Sequence, residues 1–106
     1  MTMKDTWQET ARNWSREILA RRSAVAMADH DMAQSLWAQA MVLDRFSCFD
    51  MTFTAQSASD ILDTLPKSHF RDPAKLYQDA LTALVRGKKL RSWTKDGVRY
   101  YELNLN

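Results

Sequence analysis

The chain is 106 residues long with 45% hydrophobic and 26% charged residues, a balance that describes one soluble globular domain and excludes a disordered chain. Its net charge of +2 is unevenly spread: nine Lys or Arg stand against three Asp between positions 66 and 99, an excess that suits a polyanionic partner. A single cysteine excludes an internal disulfide and favours a reducing cytoplasm, and neither a long apolar run nor a signal-like start points to a membrane or to export.

Positions 4–28 contain no Gly or Pro and predict a first helix. Trp7, Ala11, Trp14, Ile18 and Val25 recur at steps of four and three, interrupted by Arg21, and form a seam for another helix. Two occupants fit the seam. A second copy of the chain would make 1–30 a dimerisation arm, with Trp7, Trp14 and Ile18 at a protein interface. Alternatively the arm folds back on its own domain. Asp29 is placed to cap a second helix that runs from 31 to 47 or 50, whose apolar face is Met32, Leu36, Trp37, Ala40, Met41, Leu43 and Phe46. Positions 51–54 alternate and read as a short strand. Thr54 or Ser57 then caps a helix carrying Ala58, Ile61, Leu62 and Leu65, which ends at Pro66.

The stretch 66–103 is the most sharply patterned. Asp72 can cap a helix that has Pro73 at its first position, where a missing N–H costs nothing. Leu76, Tyr77, Ala80, Leu81, Leu84 and Val85 make one buried face. Gly87 is expected as the left-handed residue that stops the helix, with Arg86, Lys88 and Lys89 beside its negative end. A two-residue turn at Asp96-Gly97 then pairs Lys95 with Val98, Trp93 with Tyr100, Ser92 with Tyr101, Arg91 with Glu102 and Leu90 with Leu103. In that register Trp93, Tyr100 and the Arg91–Glu102 pair share one face, and Leu90 and Leu103 share the other.

From position 31 the order is helix, short strand, helix, turn, helix, hairpin. This order resembles the winged helix-turn-helix domain of small bacterial transcription regulators over about 35–103. The best local match is 77–90, where Leu81, Leu84 and Val85 run into Arg86, Gly87, Lys88, Lys89 and Leu90. That segment is similar to the end of the family's recognition helix and its basic turn into the first wing strand. The resemblance implies a mainly α fold with a small β-hairpin (α+β): a winged helix over 31–106 with an extra N-terminal helix at 1–30. It implies 54–65 as the supporting helix, 73–86 as the recognition helix and 90–103 as the wing. Double-stranded DNA is then the expected partner, bound by a homodimer without a cofactor or metal. Lys75, Gln78, Thr82 and Arg86 would face the groove, with Lys67, Ser68, His69 and Arg71 ahead of the helix holding phosphates. Lys88, Lys89, Lys95 and Arg99 would reach the backbone at the corner and wing. Asp79 departs from this pattern, because a carboxylate on that face repels phosphate unless it accepts from a cytosine amino group.

The residues do not assemble a reaction. His30 and His69 are far apart, Cys48 reads as a small buried hydrophobe, and no zinc-ligand spacing, Gly-rich phosphate loop or nucleophile elbow is present. The expected function is therefore a cytoplasmic DNA-binding regulator and not an enzyme. The alternative is a winged-helix module that binds a protein, as inhibitor or adaptor of a nucleic-acid enzyme, with Trp93 and Tyr100 as its anchor. A third reading is an interaction module built on the N-terminal helical hairpin.

Overall fold

The computed structural model describes residues 3–47, 55–68 and 70–105, with side chains described for 8–46, 55–68 and 70–105. The elements in order are α1 (Met3–Val25), α2 (His30–Ser47), β1 (Gln56–Ser57), α3 (Ala58–Asp63), α4 (Pro73–Arg86), β2 (Leu90–Lys95) and β3 (Val98–Leu103). The fold is mainly helical with one small antiparallel sheet, an α+β arrangement. No helix among the described residues is long and apolar enough to cross a membrane.

α1 folds back along α2. The connection between them is short: the Asp29 carboxylate accepts from the Met32 N–H at 3.0 Å and starts α2, as its position in the sequence predicts. The seam of α1 is filled from within the chain. Ala11 and Ile18 are buried to 0% and 1% exposure, Trp14 and Val25 pack beside them, and the buried Ser15 hydroxyl donates to the Ala40 carbonyl at 3.1 Å. Ile18 is thus corrected from an interface residue to a core residue, because α2 already covers its face of the helix. The Trp7 side chain lies outside the described residues. The boundary drawn at residue 30 falls between two helices of one hydrophobic core.

α2 is buried more widely than its expected stripe. Ala33, Ala38 and Val42 are buried with Leu36, Ala40, Leu43 and Phe46, because α2 lies between α1 and α4. Met32 is corrected to a half-exposed position at the start of the helix, while Ala33 beside it is buried.

Gln56 and Ser57 pair with Tyr101 and Tyr100, giving the sheet order β1-β3-β2. The strand expected at 51–54 and the cap expected at Thr54 lie outside the described residues, as does Cys48. The Ser57 hydroxyl caps α3 by accepting from the Asp60 N–H at 3.2 Å. α3 ends at Asp63, shorter than the expected 54–65, because Thr64 closes it with its hydroxyl on the Ile61 carbonyl and Leu65 precedes a proline. Pro66 thus follows the helix end with two residues, Thr64 and Leu65, between.

The connector from α3 to α4 is held by aromatic packing. Phe70 sits 5.3 Å from Trp37 and 6.2 Å from Tyr77, centroid to centroid, and the Tyr77 hydroxyl donates to the Pro66 carbonyl. Burial pushes the Tyr77 pKa above its ordinary value. α4 starts as predicted, with the Asp72 carboxylate accepting from the Lys75 N–H at 3.1 Å and Pro73 in the first turn.

Candidate nucleic-acid interface

α4 buries Tyr77, Ala80, Leu81 and Leu84 against α2, α3 and the sheet, which leaves Lys75, Gln78, Asp79, Thr82 and Arg86 in solvent along its outer side. These are the five outward positions given by helical periodicity. They are not equivalent. The Lys75 ammonium lies 2.7 Å from the Asp79 carboxylate, one turn away, and that pairing raises the Lys75 pKa. Both ends are well exposed, so the pair is weak and opens readily. It still cancels one positive charge on this face, and it neutralises the carboxylate that stood out in the sequence.

At the C-terminal half of α4 the helix and hairpin enclose an open groove of about 420 Å³, lined by Gln78, Thr82, Val85, Arg86, Ser92, Arg99 and Tyr101. Its polar groups are ordered. Gln78 Nε2 donates to the Tyr101 hydroxyl at 3.3 Å, the Thr82 hydroxyl donates to the Gln78 carbonyl at 3.0 Å, and Arg99 donates to the Ser92 hydroxyl at 3.2 Å. No carboxylate is among the described residues that line it. Two guanidinium groups, an amide and three hydroxyls therefore surround a solvated slot, a donor-rich set suited to phosphate and base edges.

Ser92 and Tyr101 were not in the expected site. Their signal was present, since the predicted register places them opposite each other on the α4 side of the hairpin. That register is the observed one, from Leu90 opposite Leu103 to Lys95 opposite Val98. The turn has Asp96 at φ 53° and Gly97 at φ 78°, the two positive values that a two-residue hairpin turn of matching twist requires. One consequence divides the expected wing contacts. Arg99 pairs with Thr94 and faces α4, whereas Lys95 pairs with Val98 and faces the other way.

The corner between α4 and β2 departs from expectation. Gly87 has φ −81° and still belongs to the helix end, where an added Cβ would stand 3.3 Å from the Ala83 carbonyl oxygen. The left-handed residue is Lys88, at φ 64°. The chain makes one more near-helical step before reversing, and the Lys88 and Lys89 N–H groups then close onto the Val85 and Leu84 carbonyls at 3.0 and 2.9 Å. Lys89 is the less open of the two lysines. It is half-buried, with its ammonium 5.3 Å from the centre of the Trp14 ring of α1.

The remaining candidates are dispersed. Lys67, Ser68 and Arg71 lie exposed on the connector, with Lys67 Nζ 3.4 Å from the Leu65 carbonyl, and His69 lies outside the described residues. Trp93 and Tyr100 stack across the hairpin with centroids 6.1 Å apart and planes at 20°, on the face away from α4. Arg91 and Glu102 form their ion pair on that same face.

Comparison with known proteins gives no matching family model, no matching curated protein and no matching solved structure.

Proposed function

We propose that this chain is a winged-helix protein that binds double-stranded DNA and regulates transcription in the cytoplasm, with α4 as its recognition helix and β2–β3 as its wing. The observation that carries the reading is the groove at the junction of α4 and the hairpin, where Arg86 and Arg99 face Gln78, Thr82 and Ser92 without a carboxylate among the described lining residues. The element order and the pairing of β1 with β3 support the resemblance on which the reading rests.

The chemistry assigns distinct tasks. Arg86 and Arg99 neutralise backbone phosphates, and each phosphate so neutralised releases counterions. Gln78 is oriented by Tyr101 through one N–H, which leaves its carbonyl and second N–H free for the bidentate pattern that adenine offers in the major groove. Lys75 joins once its pair with Asp79 opens. Occupying a site would block or assist polymerase, with no cofactor in the mechanism. The expected homodimer loses the α1 seam that suggested it, so the proposal is carried by a single chain.

The test is fluorescence anisotropy of a labelled random-sequence duplex across a salt series. Affinity falls log-linearly with salt for the unaltered chain, and the Arg86→Ala, Arg99→Ala double variant lowers the slope by about 2 while weakening binding to all sequences alike. Absence of binding at low salt by the folded chain would remove the proposal.

A further inference from the structure

The hairpin has a second exposed face. On the side away from α4, Trp93 and Tyr100 form an offset stack, with Trp93 at 38% and Val98 at 43% exposure. Trp93 lies on β2, an edge strand of the described sheet, so the ring face turned from Tyr100 looks outward with no strand beyond it among the described residues. Two residues to either side on the same face are Arg91 and Lys95. The Arg91 side chain keeps 55% exposure although Glu102 pairs with it, and Lys95 is exposed. An aromatic ring with an open face and a cation on each flank matches the way single strands are held: bases stack on rings and the backbone runs past positive charge.

Size decides between a base and a protein as the occupant. Two paired strands of six residues span about 20 Å by 10 Å, roughly 200 Å² of sheet face. A stable protein interface needs about 800 Å² from each partner. A base stacked on Trp93 needs only one ring face.

We propose that this outer face of the hairpin is a stacking platform for an unpaired base of single-stranded DNA, with Trp93 as the ring that the base covers and Lys95 and Arg91 as its backbone contacts. The choice of DNA over RNA rests on the duplex reading of the groove on the opposite face. The two sites lie back to back on one hairpin, so a duplex end or bubble would present both of its forms to the same wing.

The test measures binding of a labelled 12-nucleotide oligo(dA), the matching oligo(rA) and a blunt duplex to the full chain and to Trp93→Leu and Trp93→Phe variants. Circular dichroism checks that each variant is folded. Trp93→Leu is expected to weaken oligo(dA) binding roughly ten-fold or more, Trp93→Phe to retain most of it, and duplex affinity to stay unchanged in both. An oligo(dA) affinity indifferent to Trp93→Leu, or no single-strand binding at all, would overturn the platform. The duplex arm reports separately on the groove. Preference for oligo(rA) would overturn the choice of DNA. A doubling of mass in solution, without nucleic acid, that Trp93→Leu abolishes would give the face to a second copy of the chain instead.

Discussion

The α1–α2 hairpin and the α4–wing unit draw on the same kinds of residue and direct them oppositely. In the first, Ile18 and Ala11 are sealed under α2, Trp14 packs beside them, and even a serine hydroxyl is buried on a carbonyl of the neighbouring helix. In the second, only one side of α4 and one side of the sheet are sealed, and Trp93, Arg86, Lys88, Lys95 and Arg99 are left in solvent. The contrast teaches where to look for function. Aromatic and basic side chains that a chain could have buried or paired, yet leaves open on helices and strands, are the candidates for a working surface.

The largest expected effect tests the sealed half. Ile18→Ala should lower stability by about 2–5 kcal/mol, as deletion of buried methyl groups does, and should leave the mass in solution unchanged. Denaturant unfolding with light scattering reads both, and a change in mass with little loss of stability would restore α1 as an interface. Next comes the link between the halves. Tyr77→Phe removes the hydroxyl held by Pro66 and should cost about 1 kcal/mol. The same substitution should flatten the alkaline limb of stability. Burial raises the folded-state pKa of Tyr77 above its ordinary 10.0, so its contribution is complete below that value and is lost as pH rises through the folded pKa.

Two predictions probe the open half. Lys88→Gly should stabilise the fold by about 1 kcal/mol, since glycine adopts a positive φ without a Cβ penalty. In anisotropy the same variant should bind the duplex more weakly, and equal binding would take Lys88 out of the interface. The smallest effect belongs to Asp79→Ala, which frees Lys75 and removes a negative charge from the outer side of α4. Duplex affinity should rise a few-fold at low salt and converge with that of the unaltered chain at high salt, following the screening of exposed charges. A fall in affinity would instead make Asp79 a base-reading group.

What could be read from the residues follows the range of the interactions. The hairpin register was legible pair by pair because Asp96-Gly97 fixes the turn and alternation fixes the rest. The Asp29 and Asp72 caps were legible, and Ser57 was one of two candidates with Thr54, because a cap acts over three residues. The burial of Ala38 and Val42 was not, since it depends on α4 arriving on a second side of α2. Nor was the placing of Lys89 on Trp14, two residues 75 positions apart that meet only in the folded chain. The left-handed Lys88 was missed for a local reason: the glycine beside it is the usual choice, and a one-residue extension of α4 transfers the reversal to its neighbour.

That corner also sets the mechanics of the molecule. Four fastenings converge there: the two backbone bonds that end α4, the Asn104 N–H on the Lys89 carbonyl at 2.9 Å, and the Lys89 ammonium on the Trp14 ring. Together they tie the end of α4, the open end of the hairpin and α1 to one another. If the proposed groove takes a duplex, ordering that would otherwise fall on the binding step is completed when the chain folds, and a duplex of the wrong width would itself have to deform to be held.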